Sequence, residues 1–409
     1  MDQAIDTRCC IAGGGPAGMM LGFLLARMGV DVVVLEKHAD FLRDFRGDTI
    51  HPSTLQIMYE LGILDEFLKR PHQEVKELAA QVGGETVVIG DFTHLPTRCR
   101  FLGLMPQWDF LNFIKEQAQR YSTFHLIMQA EVTDLLEQSD AVTGVRAKTR
   151  DGSLEIRAPL TIGADGRHSR VRERAGLKVI DIGAPMDVMW MRISRSPTDR
   201  GQSFGHADAG KILILINRET YWQCAFVIPK GEGERIREKG LAAFREEIAK
   251  LEPLLRDRVE ELRDWKDVSL LTVTVDRLLQ WYRPGLLCIG DAAHAMSPIG
   301  GVGINLAIQD AVATANLLGE ILLRGSPSES QLHVVQKRRT FPTRATQGLQ
   351  VAMQNNVVRR VLSSSKPLTL PWPLKLLQHW PILRRIPARL VGLGFRPEHI
   401  KTPDIHSSK

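Results

Sequence analysis

The glycine-rich stretch Gly13-Gly14-Gly15-Pro16-Ala17-Gly18 constrains the fold of this chain more than any other feature. Residues 7–12 before it predict a short buried strand, and residues 16–28 predict a helix with a proline in its first turn. Residues 30–36 then predict a second buried strand. A strand–helix–strand unit implies a parallel sheet, which predicts an α/β fold.

The turn has the pattern G-x-G-x-x-G, in which each glycine has a separate task. Gly13 permits the tight turn out of the strand, Gly15 lets the backbone approach a pyrophosphate, and Gly18 lets the helix pack closely on the strand. Pro16 and Ala17 form the first helical turn, whose free N–H groups and positive dipole end would face the phosphates. The pattern therefore indicates a dinucleotide-binding turn.

An acidic residue completes this candidate site. Glu36 lies 21 residues after Gly15, at the end of the second predicted strand, where it can accept hydrogen bonds from a ribose 2′-hydroxyl. Lys37 follows it and is included as a candidate contact. A glycine-rich turn without a ligand is the structural alternative, but the acid at this spacing favours a dinucleotide. This segment does not distinguish FAD from NAD.

Two later segments have the same organisation, with a buried strand that leads into polar and glycine residues. Residues 161–170 contain Asp165-Gly166, and residues 287–294 contain Gly290-Asp291. Asp291 can hold a polyol hydroxyl, and the glycines that follow bring backbone N–H groups close to a planar ring. A helix predicted to begin at Asn305 directs its positive dipole end towards an anion. The remaining candidates here are Pro298, Gly300, Gly301, Gly303 and Ile304.

In this order the three segments resemble the FAD-dependent aromatic hydroxylases of the para-hydroxybenzoate hydroxylase and ubiquinone-biosynthesis hydroxylase family. The resemblance implies that residues 13–18 are the first FAD motif. It implies that Asp165-Gly166 contacts both FAD and a passing NAD(P)H, and that residues 290–305 hold the ribityl chain and the isoalloxazine. By the same resemblance, Arg46 of Arg46-Gly47-Asp48 and Gln107 are flavin contacts.

The resemblance also implies a reaction. In the family NAD(P)H binds transiently and reduces FAD, oxygen then forms a C4a-hydroperoxide, and a hydroxyl group passes to an aromatic or quinone-like substrate. The protein has to keep water from that intermediate and orient the substrate. We therefore expect an FAD-dependent monooxygenase that uses NAD(P)H and O2.

The expected architecture is a Rossmann-like FAD-binding domain with a parallel sheet, interleaved with an antiparallel-sheet substrate domain and followed by a C-terminal helical segment. The residue pattern changes character between about 178 and 275, while parts of the flavin site lie on both sides of this region. The predicted divisions are an FAD-binding domain at 1–75, 97–177 and 276–350, a substrate domain at 76–96 and 178–275, and a basic helical segment at 351–409.

Local patterns predict further elements within these divisions. Helical patterns cover residues 51–61, 110–121, 233–251 and 305–323. A hairpin is predicted over 143–157, around Asp151-Gly152, and an antiparallel pair is predicted between 211–217 and 221–228.

The sequence indicates catalytic residues less specifically than cofactor-binding residues. His51 lies in a loop that the family places near the flavin, and an imidazole that titrates near neutrality could act as a base. The alternative, which we favour, is a histidine at a helix start that contacts phosphate or backbone. Tyr221 is a second candidate, but Tyr221 and Trp222 alternate along a strand and cannot both point inward. Core packing is the default interpretation for these two and for His206, and a structural role is the default for His294.

Other flavoprotein activities remain as alternatives. Flavin halogenases carry a Trp-x-Trp-x-Ile-Pro signature, whereas this chain has Cys224 and Phe226 where the two tryptophans would stand before Ile228-Pro229. This departure argues against halogenation. A flavin-dependent reductase of a prenyl or other double bond shares the fold without needing oxygen. A non-catalytic FAD-fold binding protein is disfavoured because Asp165-Gly166 and Gly290-Asp291 are both intact.

The positive charge of the chain is concentrated at its C-terminal end. Residues 354–409 contain ten Lys or Arg and two acids, a net charge of +8, so the formal charge of +6 leaves about −2 for the rest. A general nucleic-acid footprint is therefore not indicated. Prolines at 371, 373, 381 and 387 predict short helices. We favour a cap on the FAD domain, while peripheral contact with an anionic membrane, and hence a lipophilic substrate, is the alternative.

The five cysteines are scattered and show no metal-ligand spacing. They predict buried thiols in a reducing, cytoplasmic compartment. No uninterrupted apolar stretch reaches the roughly 18 residues of a spanning helix. The N-terminus does not have the pattern of a secretory signal. Substrate identity, the choice of NADH or NADPH, and the oligomeric state are not determined by the sequence.

Overall fold

The chain forms both strands and helices in the computed structural model, which describes residues 3–42, 49–199, 203–366 and 368–406. The strands of the first part are β1 Gln3–Asp6, β2 Cys9–Ala12, β3 Val32–Glu36, β4 Thr49–Ile50, β5 Gln73–Val75, β6 Glu77–Val82, β7 Glu85–Asp91, β8 Leu102–Leu104, β9 Phe124–Met128, β10 Glu131–Gln138, β11 Ala141–Thr149 and β12 Gly152–Arg157. Those that follow are β13 Thr161–Gly163, β14 Val179–Asp181, β15 Met186–Ser194, β16 Phe204–Asp208, β17 Lys211–Asn217, β18 Tyr221–Pro229, β19 Val268–Leu271, β20 Asp276–Leu278, β21 Tyr282–Arg283 and β22 Leu286–Cys288.

Helices connect and cover these strands. They are α1 Pro16–Arg27, α2 Pro52–Glu60, α3 Leu64–Phe67, α4 Gln107–Ala118, α5 Arg170–Arg174, α6 Gly233–Glu238, α7 Leu241–Leu251, α8 Gly303–Arg324, α9 Glu329–Met353, α10 Arg359–Leu362, α11 Trp372–His379 and α12 Arg385–Gly392. A π-helical turn at Gln354–Val358 joins α9 to α10.

A six-stranded sheet forms the centre of the nucleotide-binding half, with the strand order β21-β22-β13-β2-β3-β9. All neighbouring pairs from β22 to β9 are parallel, as the strand–helix–strand pattern predicts. The four central strands β22, β13, β2 and β3 are short and fully buried, and α1 and α8 belong to the same apolar core. The carboxyl ends of β2, β3, β13 and β22 meet at one edge, which is where ligands bind in open α/β sheets. The α/β fold class is confirmed.

Antiparallel sheets account for the rest of the strands. The predicted hairpin around Asp151-Gly152 is confirmed by the pairing of β11 with β12. The predicted pair of β17 and β18 is also confirmed, and it lies inside a seven-stranded sheet with the order β19-β15-β18-β17-β16-β6-β7. Strands β6 and β7, from residues 77–91, thus join strands that lie between residues 186 and 271.

Three predicted helix boundaries were wrong. Helix α4 runs from Gln107 to Ala118 and not over 110–121; Pro106 before it has a non-helical ψ of 139°, so the helix begins at the next residue. The single helix predicted over 233–251 is two helices, α6 and α7, because Gly240 between them has a φ of 89°. Helix α8 begins at Gly303 and not at Asn305.

Helix α8 is also apolar. The segment Ile299–Arg324 is, in the described chain, a helical stretch long and apolar enough to cross a membrane by length and composition, and 72% of its most apolar part is buried inside the protein. It packs against α1 and α9, which is typical of a core helix. All five cysteines are buried and free, as predicted.

The C-terminal segment divides into two parts. The prolines separate α11 and α12 with a 3₁₀ turn at Pro381–Arg384, as predicted. After α12 the chain runs back along the nucleotide-binding half, where Glu398 pairs with Arg338 and Arg339. Near its end, Asp404 pairs with Arg27 at 3.3 Å. This last part is a cap, in agreement with the favoured interpretation.

Candidate active site

The glycine-rich turn has the geometry that its pattern requires. Gly13 has a φ of 110°, and a Cβ built on it would lie 2.3 Å from the carbonyl oxygen of Ala164. A Cβ on Gly18 would lie 1.9 Å from the carbonyl oxygen of Gly13. A Cβ on Gly15, by contrast, meets nothing within 4 Å, so open space lies in front of the first turn of α1, which begins at Pro16. That space and the helix N-terminus fit a pyrophosphate.

Glu36 is directed towards the turn at the end of β3. Its carboxylate accepts hydrogen bonds from the backbone N–H of Gly14 and of His38, both at 3.0 Å. The carboxylate is thus held beside the space in front of Gly15, where a ribose would lie. Lys37 is exposed next to it. Arg46 lies outside the described residues.

The second motif contacts the first through the backbone. The N–H of Ala164 donates to the carbonyl oxygen of Ala12 at 2.8 Å, which places Asp165 beside Gly13. Asp165 accepts hydrogen bonds from the Ser169 hydroxyl at 2.5 Å and from the N–H of Val171 at 3.1 Å. Burial raises the pKa of Asp165, although these hydrogen bonds oppose the shift. The carboxylate therefore fixes the start of α5, and the next residue, Gly166, has a φ of 85°.

The third motif meets both α1 and α8. A Cβ on Gly290 would lie 3.1 Å from the Cβ of Ala17 and 3.3 Å from that of Ala307, so a glycine is required where the three elements converge. Asp291 is half-buried, and its carboxylate lies 3.6 Å from the guanidinium of Arg167. The structure thus brings residues of all three motifs together.

A buried cluster of charged side chains supports the third motif. Asp310 of α8 accepts hydrogen bonds from the N–H of Gly290 at 3.0 Å and from Arg339 at 2.8 Å, and its carboxylate lies 2.6 Å from the Nε2 of His294. Burial alone would raise the pKa of Asp310, but His294 and Arg339 hold it below its ordinary value. His294 therefore lies inside the protein with a structural contact and does not face the space in front of Gly15.

The loop before α8 is fixed by Asn305. Its Oδ1 accepts hydrogen bonds from the N–H of His51 and the hydroxyl of Thr54, both at 2.8 Å, and its amide donates to the carbonyl oxygens of Thr49 and Gly301. The side chain is therefore occupied by protein groups and positions the loop. Pro298 precedes a turn in which Gly300 and Gly301 have positive φ, and Gly303 and Ile304 then begin α8.

Three glutamines of one helix face hold the same loop, and the sequence interpretation missed them. Gln350 donates to the carbonyl oxygens of Ser297 and Ile299, both at 2.9 Å, and accepts from the N–H of Ser297. Gln347 donates to the carbonyl oxygen of Ala295, and Gln354 donates to the Ser297 hydroxyl. Their spacing of three and four residues in a helical stretch is the signal that indicates one buried polar face. We call Gln347, Gln350 and Gln354 the glutamine ladder.

Strand pairing places Gln107 next to the loop that precedes α8. It is the half-buried first residue of α4, three residues after β8. In β8, Leu104 pairs with Thr49 of β4, and a Cβ on Gly301 would lie 2.7 Å from the Thr49 hydroxyl. The chain order alone separates Gln107 from Gly301, whereas the β4–β8 pair brings their segments together.

His51 is buried and directed away from solvent. It precedes α2, and its Nδ1 donates to the carbonyl oxygen of Val391 at 2.7 Å. Burial lowers the pKa of His51 to about 4, although hydrogen bonds to the carbonyls of Val391 and Gly300 oppose the shift. The imidazole is therefore neutral at pH 7 and contacts backbone, which is the arrangement of the favoured alternative.

The seven-stranded sheet turns one face towards the loop. Ile299 packs against a cluster on this face that includes Ala225 and Val227 of β18. Tyr221 belongs to the same face because it lies four residues before Ala225, and its ring stacks on the guanidinium of Arg192 at 3.8 Å. Trp222 lies on the opposite face, fully buried, and donates to Asp199 at 2.8 Å.

His206 also lies on the opposite face, 3.5 Å from Glu252. The structure therefore brings neither Trp222 nor His206 to the face that contacts Ile299.

A row of five residues, three of them small, crosses the face that contacts Ile299. The row runs through Ala80, Gly205, Ile214, Ala225 and Trp190, which are paired in adjacent strands β6, β16, β17, β18 and β15. Ile214 is 39% exposed although its strand is in the interior of the sheet. We call this row the trough. Ala225 is buried, whereas Ala80 and Gly205 are half-buried and Ile214 is exposed, so the open part spans three strands, roughly 10 Å at a strand spacing of about 4.8 Å.

Known proteins resemble this chain in sequence and in structure. The sequence profile described as FAD binding domain matches residues 6–348. A 6-methylpretetramide 4-monooxygenase of Streptomyces rimosus is 33% identical over 384 residues, which cover 93% of this chain and 92% of the relative. Two further relatives are longer, and the chain spans 62% and 63% of their lengths.

Solved structures show the same fold. The p-nitrophenol 4-monooxygenase of Pseudomonas putida superimposes with a TM-score of 0.74 at 20% identity, and the match covers 96% of this chain and all of that one. The myxobacterial chondrochloren halogenase superimposes with a TM-score of 0.75 at 20% identity, over 93% of this chain and 90% of its own. The fold is therefore shared by hydroxylating and halogenating proteins.

Proposed function

The chain belongs to the FAD binding domain family and is an FAD-dependent monooxygenase of the aromatic hydroxylase type, and we propose that its substrate is a flat, apolar aromatic or quinone-like molecule that lies in the trough. The observation that carries the proposal is the exposure of Ile214 in the interior of a sheet, on the face that contacts the flavin-loop residue Ile299. An apolar side chain in that position is covered at little cost by an apolar ring. The name of the Streptomyces rimosus relative, a 6-methylpretetramide monooxygenase, supports the choice of reaction.

FAD bound at this site would supply the redox and oxygen-activating chemistry, with NAD(P)H as the proposed electron donor. The chain supplies binding and orientation. The turn at Gly15 and the carboxylate of Glu36 would hold the pyrophosphate and ribose, and the loop at Gly300 and Gly301 would lie against the ring system. The apolar residues around the trough would keep water from the reacting atoms.

We propose the following cofactor contacts: Gly13, Gly15, Pro16, Ala17, Gly18, Glu36, Lys37, Arg46, Gln107, Asp165, Gly166, Gly290, Asp291, Pro298, Gly300, Gly301, Gly303, Ile304 and Asn305. Asn305 would act through the loop that it positions. His51 would be a weak base because its pKa is lowered to about 4, and Tyr221 would act at the end of the trough face, beside Arg192.

The division into domains is part of the same proposal. Strands β6 and β7 share a sheet with β15 to β19, which supports the assignment of residues 76–96 and 178–275 to one substrate domain. We propose a cytoplasmic location, with NAD(P)H as the donor, and contact with a membrane surface through the part of the C-terminal segment 354–409 that precedes the cap.

A substitution that fills the trough tests the substrate site. A Cβ on Gly205 meets no atom within 4 Å, so Gly205→Phe adds a ring above the trough without displacing backbone. We expect FAD content and substrate-free NAD(P)H oxidation to be retained, while kcat/KM for the substrate falls by at least about tenfold because the ring occupies its place. The assay is substrate-stimulated NAD(P)H oxidation over a panel of phenols, quinones and prenylated aromatics, with the mass of the product.

The matched control is Gly348→Phe, at an exposed position of α9 that also has open space. A product without an added oxygen atom would contradict hydroxylation and favour the double-bond reductase. Equal kcat/KM for Gly205→Phe and the control would place the substrate away from the trough. A purified protein without yellow flavin would favour the non-catalytic binding protein.

A further inference from the structure

Two short helices and the turn between them expose large apolar side chains on the outside of the protein. Trp372 is 73% exposed, Trp380 58%, Ile382 63% and Ile386 59%. They belong to α11, the 3₁₀ turn at Pro381–Arg384 and α12. We call these four residues the apolar crest. Exposed aromatic and aliphatic residues so close together indicate an interaction surface.

The other side of the same segments is anchored to the folded protein. Helices α11 and α12 and the turn between them all contact β7, the edge strand of the seven-stranded sheet. Ala388 is fully buried with Phe92 and Leu95, and Arg384 donates to the carbonyl oxygen of Leu377 at 2.8 Å. The packing of α11 and α12 on β7 therefore fixes the apolar crest on the outer side of these helices.

Positive charge surrounds the crest. Ile382, Arg385, Ile386 and Arg389 are spaced as one face of a helix, and both arginines are exposed, as is Lys375 of α11. Residues 330–397 contain twelve Lys or Arg and no Asp or Glu. Strand β7 beneath these helices carries two acids, Glu85 and Asp91. The surface is thus apolar and cationic together.

We propose that the apolar crest binds an anionic lipid bilayer, with Trp372, Trp380, Ile382 and Ile386 at the level of the headgroups and the surrounding cations on lipid phosphates. Tryptophan is favoured at that depth, and amphipathic helices with a basic face bind by this combination. Charge complementarity selects an anionic surface over a second copy of this chain, since two copies would bring like charges together.

The position of the crest has a consequence that rests on the proposed function. The strand beneath it, β7, pairs with β6, which contributes Ala80 to the trough. A lipophilic aromatic dissolved in the bilayer would therefore lie near the substrate face of the docked enzyme. Membrane binding itself needs no substrate, so its test is independent of the reaction.

The test is binding of the FAD-loaded full chain to vesicles, measured by co-sedimentation and tryptophan emission. We expect binding to vesicles of phosphatidylglycerol and phosphatidylcholine, with a blue shift of emission, and at least about tenfold weaker binding to phosphatidylcholine alone or at high salt. The variant Trp372→Ser/Trp380→Ser/Ile382→Ser/Ile386→Ser is expected to bind at least about tenfold more weakly.

A second variant, Lys375→Gln/Arg385→Gln/Arg389→Gln, should also bind more weakly and depend less on salt. The matched control is Val334→Ser/Phe341→Ser, which removes exposed apolar residues from α9. FAD content reports that each variant is folded. The proposal is overturned if the wild type does not bind anionic vesicles, or if the crest variant binds as well as the control. Self-association that the crest variant abolishes, in the absence of vesicle binding, would assign the surface to a second copy.

Discussion

The space around each glycine of the glycine-rich turn decides whether a larger side chain could replace it. Gly13 and Gly18 have no room for a Cβ, whereas Gly15 has open space in front of it. Gly13 and Gly18 are therefore required by the fold, and Gly15 leaves room for a ligand. The pattern G-x-G-x-x-G combines two different physical requirements, which is why it is informative when a strand and a helix flank it.

His51 provides a prediction at this scale. Its pKa in the folded protein is about 4, below the ordinary value of 6.5, so the native state binds fewer protons than the unfolded state between these values. The stability that follows is present above about pH 6.5 and is lost as the pH falls towards 4. Between pH 8 and pH 5 we expect the wild type to lose about 2 kcal/mol more than His51→Asn, measured by urea unfolding.

The control for this measurement is His379→Asn, which changes an exposed histidine. It should lose as much stability as the wild type over the same pH range. An equal loss for His51→Asn would show that the buried imidazole is not what makes the protein sensitive to acid.

At the scale of elements, α9 acts as a support for the loop that precedes α8. The glutamine ladder supplies hydrogen bonds to backbone groups between residues 295 and 299, where the chain forms neither a strand nor an α-helix. Buried backbone groups without partners are costly, so the ladder stabilises an irregular loop conformation. The loop in turn carries Gly300 and Gly301.

Replacement of the central glutamine should weaken FAD binding. Gln350→Leu removes hydrogen bonds to Ser297 and Ile299, each worth about 1 kcal/mol, and loosens the loop. We expect the dissociation constant of FAD to rise by roughly tenfold, because part of the binding energy is then spent on ordering the loop. Titration of the apoprotein with FAD, followed by flavin fluorescence, measures it.

Gln336→Leu is the matched control on the same helix. Gln336 accepts from the N–H of Trp281 and donates to the carbonyl oxygen of Leu279, so it supports β21 and its neighbours and not the loop. Its loss should lower stability while the FAD dissociation constant stays unchanged. If both variants bind FAD equally, the ladder has no special relation to the cofactor.

At the scale of the whole molecule, the C-terminal tail is connected to the third motif. Glu398 pairs with Arg339, Arg339 donates to Asp310, and Asp310 accepts from the N–H of Gly290. All four groups are buried. The end of the chain therefore contacts the structure that forms the candidate site.

Removal of the charge at Glu398 should destabilise the whole protein. Glu398→Gln leaves the buried Arg339 and the adjacent Arg338 without one acidic partner, which costs about 3 kcal/mol in comparable buried pairs. Asp404→Asn, which weakens a partly exposed pair with Arg27, should cost about 1 kcal/mol or less. Urea unfolding of the two variants compares them, and an equal loss would contradict the central role of Glu398.

The sequence by itself determined the fold class, the parallel sheet and the three segments that the structure brings together at the candidate site. These depend on properties that neighbouring residues carry: apolar runs of strand length, glycines at positions with positive φ or close contact, and an acid at the end of a strand. Gly13, Glu36, Asp165 and Gly290 could be found for that reason. The antiparallel pair of β17 and β18 could also be predicted, because a short loop connects the two strands and keeps them close in the sequence.

Only the tertiary structure decided which side chains serve the site. The glutamine ladder, the contact between His51 and Val391, the trough and the pairing of Glu398 with Arg339 join segments that are far apart in the chain. Strand alternation predicted that Tyr221 and Trp222 face opposite ways, but the packing of α7 and Ile299 decided which face is which. Such contacts depend on strand register and helix docking, which no local pattern specifies.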